Sequence, residues 1–210
     1  MPSITLYPTT AAHDGYESAG TVDFASTQAP LGKYAGVNVY TYFKFPLPST
    51  GWLSGKIVSS LMLTFKSVDS PGANVSSTCY MEKVASPADL VASANNISAR
   101  TRTTASIAFG AAAFGTWSAG QTYSYYGDAL SPATPTNYFT TLLSEVVASA
   151  GAGSMSALAF IWVSPGGSFY RLPYAYGGAT IPSLTITYAE LPTIDFETNL
   201  KTYFEFETNL

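Results

Sequence analysis

His13 and Asp14 are the one acid–base pair this sequence offers, and His13 is its sole histidine. General-base chemistry needs the two groups within hydrogen-bond reach of each other and of a nucleophile. Neighbours in a strand point to opposite faces, which works against a dyad. The pair predicts a solvated turn, with Asp14-Gly15 at its tip. Asp14, Glu17 and Asp23 could offer oxygens to calcium, but their spacing matches no calcium-binding loop. One histidine and one cysteine exclude a His/Cys zinc site within the chain. No catalytic residue, metal site or cofactor is assigned, and the expectation is a protein that is not an enzyme.

The aromatic residues suggest a different chemistry, stacking on sugar rings. Trp52 follows Pro-Ser-Thr-Gly and Trp117 follows Phe-Gly-Thr, both turn contexts. These two are the candidate glycan contacts, with edge packing as the competing reading. Trp162 lies inside the apolar run 157–163 and reads as core. Tyr123, Tyr125 and Tyr126, with Tyr174 and Tyr176, are of an interface-prone type but are equally ordinary strand residues.

The C-terminal segment has its own chemistry. Residues 194–200 read Ile-Asp-Phe-Glu-Thr-Asn-Leu, and 204–210 read Phe-Glu-Phe-Glu-Thr-Asn-Leu. Apolar residues alternate with acids, the period of a half-buried strand. An isolated hairpin is marginal in water, so such a pair needs a partner surface. Residues 189–210 carry a net charge of −4, while residues 1–188 balance eight acids against eight bases. The expected division is a body, 1–188, and an acidic β-arm, 189–210. Ile194, Phe196, Leu200, Phe204, Phe206 and Leu210 form the arm's apolar docking set.

The body's composition bounds the rest. At 47% hydrophobic, 210 residues can bury a substantial core. Only 10% of residues are charged, so the surface is built from small polar residues and tyrosine. No basic patch points to nucleic acid, and no apolar stretch reaches the roughly 18 residues of a membrane span. Cys79 reads as a buried small hydrophobe. No charged region followed by an apolar run opens the chain, and Met1 abuts the first strand, so no signal peptide is expected.

These residues must be held by strands. Alternation or apolar runs predict strands at 3–8, 37–45, 57–66, 77–84, 106–109, 121–125, 157–163, 169–174 and 183–188. In the second, Val37, Val39, Thr41, Phe43 and Phe45 share one face. The run Ala157–Val163 marks a central strand covered on both faces. Tyr138, Phe139, Leu142, Leu143, Val146 and Val147 form one helical stripe. Thr134-Pro135 would start that helix and Gly151 end it. A second helical turn is expected over 87–94, capped by Ser86. Together these predict an all-β, antiparallel, jelly-roll-like β-sandwich with one short helix and a C-terminal β-arm.

The order of segments resembles the DNRLRE-type domains and the related family-96 carbohydrate-binding modules. The resemblance covers about 1–188. It rests on "ITLYPTTAAHDGYES", "FKFPLPSTGW", "KIVSSLMLTF", "FGTWSAGQTYSY", "TNYFTTLLSEVVAS" and the closing "IPSLTITY". Lys44 stands where the family usually has an acid, and the DNRLRE string is missing. The resemblance implies a non-catalytic sandwich used for adhesion or assembly, of a kind also found in bacteriophage structural proteins. The expected function is a structural component of a phage-type virion, on the head surface or in the tail. It would assemble in the host cytoplasm and hold other virion proteins or copies of itself through 189–210. The alternative is an extracellular or cell-surface carbohydrate-binding module or adhesin that contacts surface glycans. Neither reading involves nucleic acid or a membrane.

Overall fold

A computed structural model describes residues 1–192 apart from 70–74, 130, 132, 135–137 and 165–168. Its twelve strands are β1 (Ser3–Leu6), β2 (Asp14–Ser18), β3 (Thr21–Asp23), β4 (Leu31–Tyr34), β5 (Val37–Pro46), β6 (Lys56–Asp69), β7 (Ser77–Met81), β8 (Ile107–Phe109), β9 (Thr122–Tyr125), β10 (Ala157–Val163), β11 (Tyr170–Pro173) and β12 (Ser183–Glu190). Two helices, α1 (Ala111–Phe114) and α2 (Phe139–Ala150), accompany them. Every strand pairing is antiparallel, and the fold is the expected all-β sandwich. One layer runs β1-β12-β6-β9 and the other β3-β2-β5-β10-β7-β8, while β4 and β11 pair with each other and join the two.

The alternation expected for β5 and β6 sets the core. Phe43 and Phe45 meet Leu61, Leu63 and Phe65, and all five are essentially inaccessible to solvent. Leu158, Phe160 and Trp162 of β10 join the same cluster, with Trp162 ringed by Phe65, Phe109 and Phe114. Val37, expected on this face, is instead exposed beside the β4–β5 turn. The other face of β10 is also covered, as its unbroken apolar run requires. There Ala159 and Ile161 pack with Tyr42, Leu90 and Ile97.

That second cover comes from residues 88–100. The helical turn expected over 87–94 does not form, because its carbonyls are engaged elsewhere. Arg100 sends Nη1 to Ala88 O at 2.9 Å and Nη2 to Asp89 O at 3.1 Å. The same Nη1 lies 2.8 Å from Glu82 Oε2 and 2.9 Å from the Tyr42 hydroxyl. Both partners of the ion pair are over nine-tenths buried.

α2 starts at Phe139, later than Thr134-Pro135 predicts. Tyr138 is the extended N-cap residue and stays 40% exposed, outside the buried stripe. Gly151 closes the helix as expected. Glu145 ties α2 to the body, accepting from Lys83 and from the Thr104 and Ala105 N–H groups, each at 2.8 Å. Those bonds, led by Lys83, hold its carboxyl down at about 2.

Three strands carry no alternation signal. β2 and β3 turn through Ala19-Gly20, and β4 and β5 through Ala35-Gly36, each two residues with positive φ. Hairpins of this kind favour Asn-Gly or Asp-Gly. Alanine in the left-handed region removes that signature from the sequence. Asp14-Gly15, expected as a turn, is therefore the start of β2.

Candidate functional site

β12 extends to Glu190, two residues past the boundary drawn at 188. Ala189 pairs with Ile57, Glu190 with Lys56, and the Leu191 N–H donates to Gly55 O at 2.7 Å. The arm residues Ile194, Phe196, Leu200, Phe204, Phe206 and Leu210 lie outside the described residues. The candidate site is therefore the surface around the end of β12, where the described chain reaches Pro192.

A tight loop, residues 49–55, builds that surface. Gly51 has φ +76° and donates its N–H to Met155 O at 2.8 Å. A Cβ at Gly51 would sit 2.7 Å from Gly153 O, so only glycine fits. This loop presents Trp52 half-buried. In the β12–β6 ladder Thr187 faces Ser60 and Tyr188 faces Val58, so Ser59 is an extra residue. Such a bulge re-aims the side chains beyond it. Tyr188 meets the edge of Trp52 at 5.0 Å between ring centroids. Lys56 Nζ stands 4.9 Å above the Trp52 ring, 5.6 Å from the Tyr188 ring and 3.4 Å from Glu190 Oε2. Its cationic head thus rests on two aromatic faces. Sequence periodicity offers no warning of this cluster, because the bulge breaks the period.

Trp117, the other candidate glycan contact, is a core residue. It is 3% exposed, stacks on Tyr123 at 4.8 Å and donates Nε1–H to the Tyr125 hydroxyl at 2.6 Å. A sugar platform needs an open ring face, and a buried indole has none. Trp52 keeps partial exposure, although Lys56 stands over its ring. Tyr125 is likewise core rather than interface, and burial pushes its hydroxyl pKa up.

His13 and Asp14 go separate ways, and neither is a solvated turn residue. His13 ends a short 3-10 turn, 7% exposed. Its Nδ1 accepts the Thr9 N–H at 3.2 Å, so Nε2 carries the proton and donates to Asp89 Oδ1, also at 3.2 Å. Lys44 holds the same Asp89 oxygen at 2.6 Å. Burial, reinforced by Lys44, lowers the His13 pKa against the opposing pull of Asp89. The lone pair a general base would use is taken by backbone, and the cluster ties Asp89 to β5. Lys44 serves the same tie.

Asp14 is 1% exposed. Oδ2 accepts the Tyr176 N–H at 2.8 Å, and Oδ1 has no hydrogen-bond partner among the described residues. Burial raises its pKa to about 7, with the Tyr176 bond opposing. Glu17 accepts the Ile97 and Ser98 N–H groups at 2.8 and 2.9 Å, and Asp23 accepts those of Ala25 and Ser26 at 3.0 and 2.9 Å. The three carboxylates thus serve three different backbone segments. Among the described residues no three His, Cys, Asp or Glu side chains cluster to hold a metal ion.

A polar cleft of about 510 Å³ lies on the outer side of β5, with Lys33, Asn38, Tyr40, Asn95 and Ser98 in its lining. Ala19 and Asn95, two of the three described non-glycine residues with positive φ, border it. Its residues come from three hairpin or turn segments that sequence spacing does not connect.

No protein-family model matches the chain, and no curated protein is similar to it in sequence. The likeness to the DNRLRE-type and family-96 modules rests on the order of segments alone.

Proposed function

We propose that this chain is a non-enzymatic structural protein of a phage-type virion, a head-decoration or tail component anchored by its C-terminal arm. The observation that carries this reading is the twin acidic–apolar repeat, placed directly behind the last strand of a sandwich whose own core is already filled. Four large apolar side chains, Ile194, Phe196, Phe204 and Phe206, would contribute on the order of 6–12 kcal/mol on burial in a partner, before ordering costs. The low-charge, hydroxyl- and tyrosine-rich surface suits lasting contact with other subunits. The deciding experiment is electron microscopy of native assemblies labelled with an antibody to the sandwich. Regular decoration of particles supports the reading. Label confined to cell surfaces or free protein overturns it.

The polar cleft favours a second reading, a carbohydrate-binding module or adhesin. Amide, ammonium and hydroxyl groups beside Tyr40 match the chemistry of a saccharide. Glycan-array binding by the full chain, abolished by Asn38→Ala, is the signature of the cleft, while loss on Trp52→Ala instead would place the sugar on the 49–55 loop.

A further inference from the structure

Beside the end of β12, β6 and α2 enclose a groove of about 300 Å³. Leu53 and Leu143, 3% and 4% exposed, line it together with Val58, Val147 and Ile57. Ile57 is 55% exposed, and Leu191, whose N–H bonds Gly55 O just beyond the end of the β6–β12 ladder, is 50% exposed. Lys56 is the groove's one charged lining residue. Lys56 is already paired with Glu190, so what the slot offers is an apolar face for one side of a strand that alternates apolar residues with acids, whose acids would stay at the rim.

The length of chain beyond Pro192 puts a second copy within reach. Leu191 is followed by Pro192, and a residue before proline is held extended. Eighteen more residues span up to about 60 Å, enough to reach a neighbour. We propose, building on the reading of the arm as an anchor, that the groove accepts the arm of a second copy of this chain. A cavity at the small end of ligand-sized pockets takes about one or two aromatic side chains, the size of Phe204 or Phe206. The contact is head-to-tail. Each copy gives an arm to one neighbour and a groove to another, which builds a ring or a filament.

The test is sedimentation velocity of the full chain over a concentration series. The wild type is expected to self-associate. Ile57→Glu, and independently Ser144→Glu on an exposed groove position of α2, should weaken association about tenfold or more with unchanged thermal melting. The double variant Phe196→Ser/Phe206→Ser should do the same. Mixing Ile57→Glu, which keeps its arm, with the double arm variant, which keeps its groove, should restore a 1:1 complex that grows no further. A wild type that stays monomeric overturns the proposal. If groove variants associate normally while the arm variant does not, the groove assignment fails and the anchor reading survives. If the arm variant also associates normally, both fall.

Discussion

Replacing Asp14 by Asn should make the chain more stable in mild alkali. Asp14 is buried with one oxygen bonded to the Tyr176 N–H and the other without a hydrogen-bond partner among the described residues. Burial raises its pKa from 3.8 to about 7. Between those values the folded chain holds a proton that the unfolded chain has released. Unfolding free energy therefore falls as pH rises, by up to about 1.4 kcal/mol per pH unit. The contribution is complete below about pH 4 and lost by about pH 8. A shift of about three units corresponds to about 4 kcal/mol. Asparagine keeps the acceptor for Tyr176 and cannot ionise. The variant should match the wild type within about 1 kcal/mol near pH 3, exceed it by about 1–2 kcal/mol at pH 5 and by about 4 kcal/mol at pH 8.5. His13, whose pKa is lowered, titrates in both proteins and cancels in the difference. The assay is urea unfolding followed by tryptophan fluorescence at half-unit pH steps. A difference between variant and wild type that does not change from pH 5 to 8.5 would falsify the argument, because Asp14 would then ionise as it does in water.

Other expectations concern packing and turns. Phe160→Ala should cost roughly 3–5 kcal/mol in urea unfolding; a near-neutral effect would place that side chain outside the core. Arg100→Ala should cost about 3–5 kcal/mol by leaving Glu82 buried and uncompensated, with loss of amide protection across 88–100 in hydrogen exchange. Ala35→Asn should stabilise the chain by about 1 kcal/mol, because asparagine tolerates the left-handed turn position that alanine occupies under strain; a lower Tm would contradict the assigned turn. Glu145→Gln should lower Tm at pH 7 and leave it nearly unchanged near pH 2, since its tie is present above the ordinary carboxylate range and lost as pH falls through about 2.

Sequence alone determined the layers of this protein. Period-two alternation in Phe43/Phe45 and Leu61/Leu63/Phe65 names the inner faces, since successive strand residues must face opposite ways. The unbroken run Ala157–Val163 requires cover on both sides, because either exposed face would leave large apolar groups in water. The stripe Phe139/Leu142/Leu143/Val146 fixes a helix for the same reason. The charge partition and repeat set 189–210 apart in the sequence, and the residues of the repeat lie outside the described residues. What the sequence left open depends on contacts between distant segments. Arg100 keeps 87–94 from forming a helical turn by gripping Glu82 and the Ala88 and Asp89 carbonyls, eleven or more residues away in the chain, which overrides local helix preference. Alanine in two hairpin turns hides β2, β3 and β4, because the strain is met by pairing to β5 rather than by turn chemistry. Trp52 and Trp117 stand in similar turns, yet one is left half-exposed under Lys56 and the other stacks inside the core. Asp14 and His13 adjoin in sequence and serve different partners. Burial and partnership are properties of the packed chain, and only the tertiary structure assigns them.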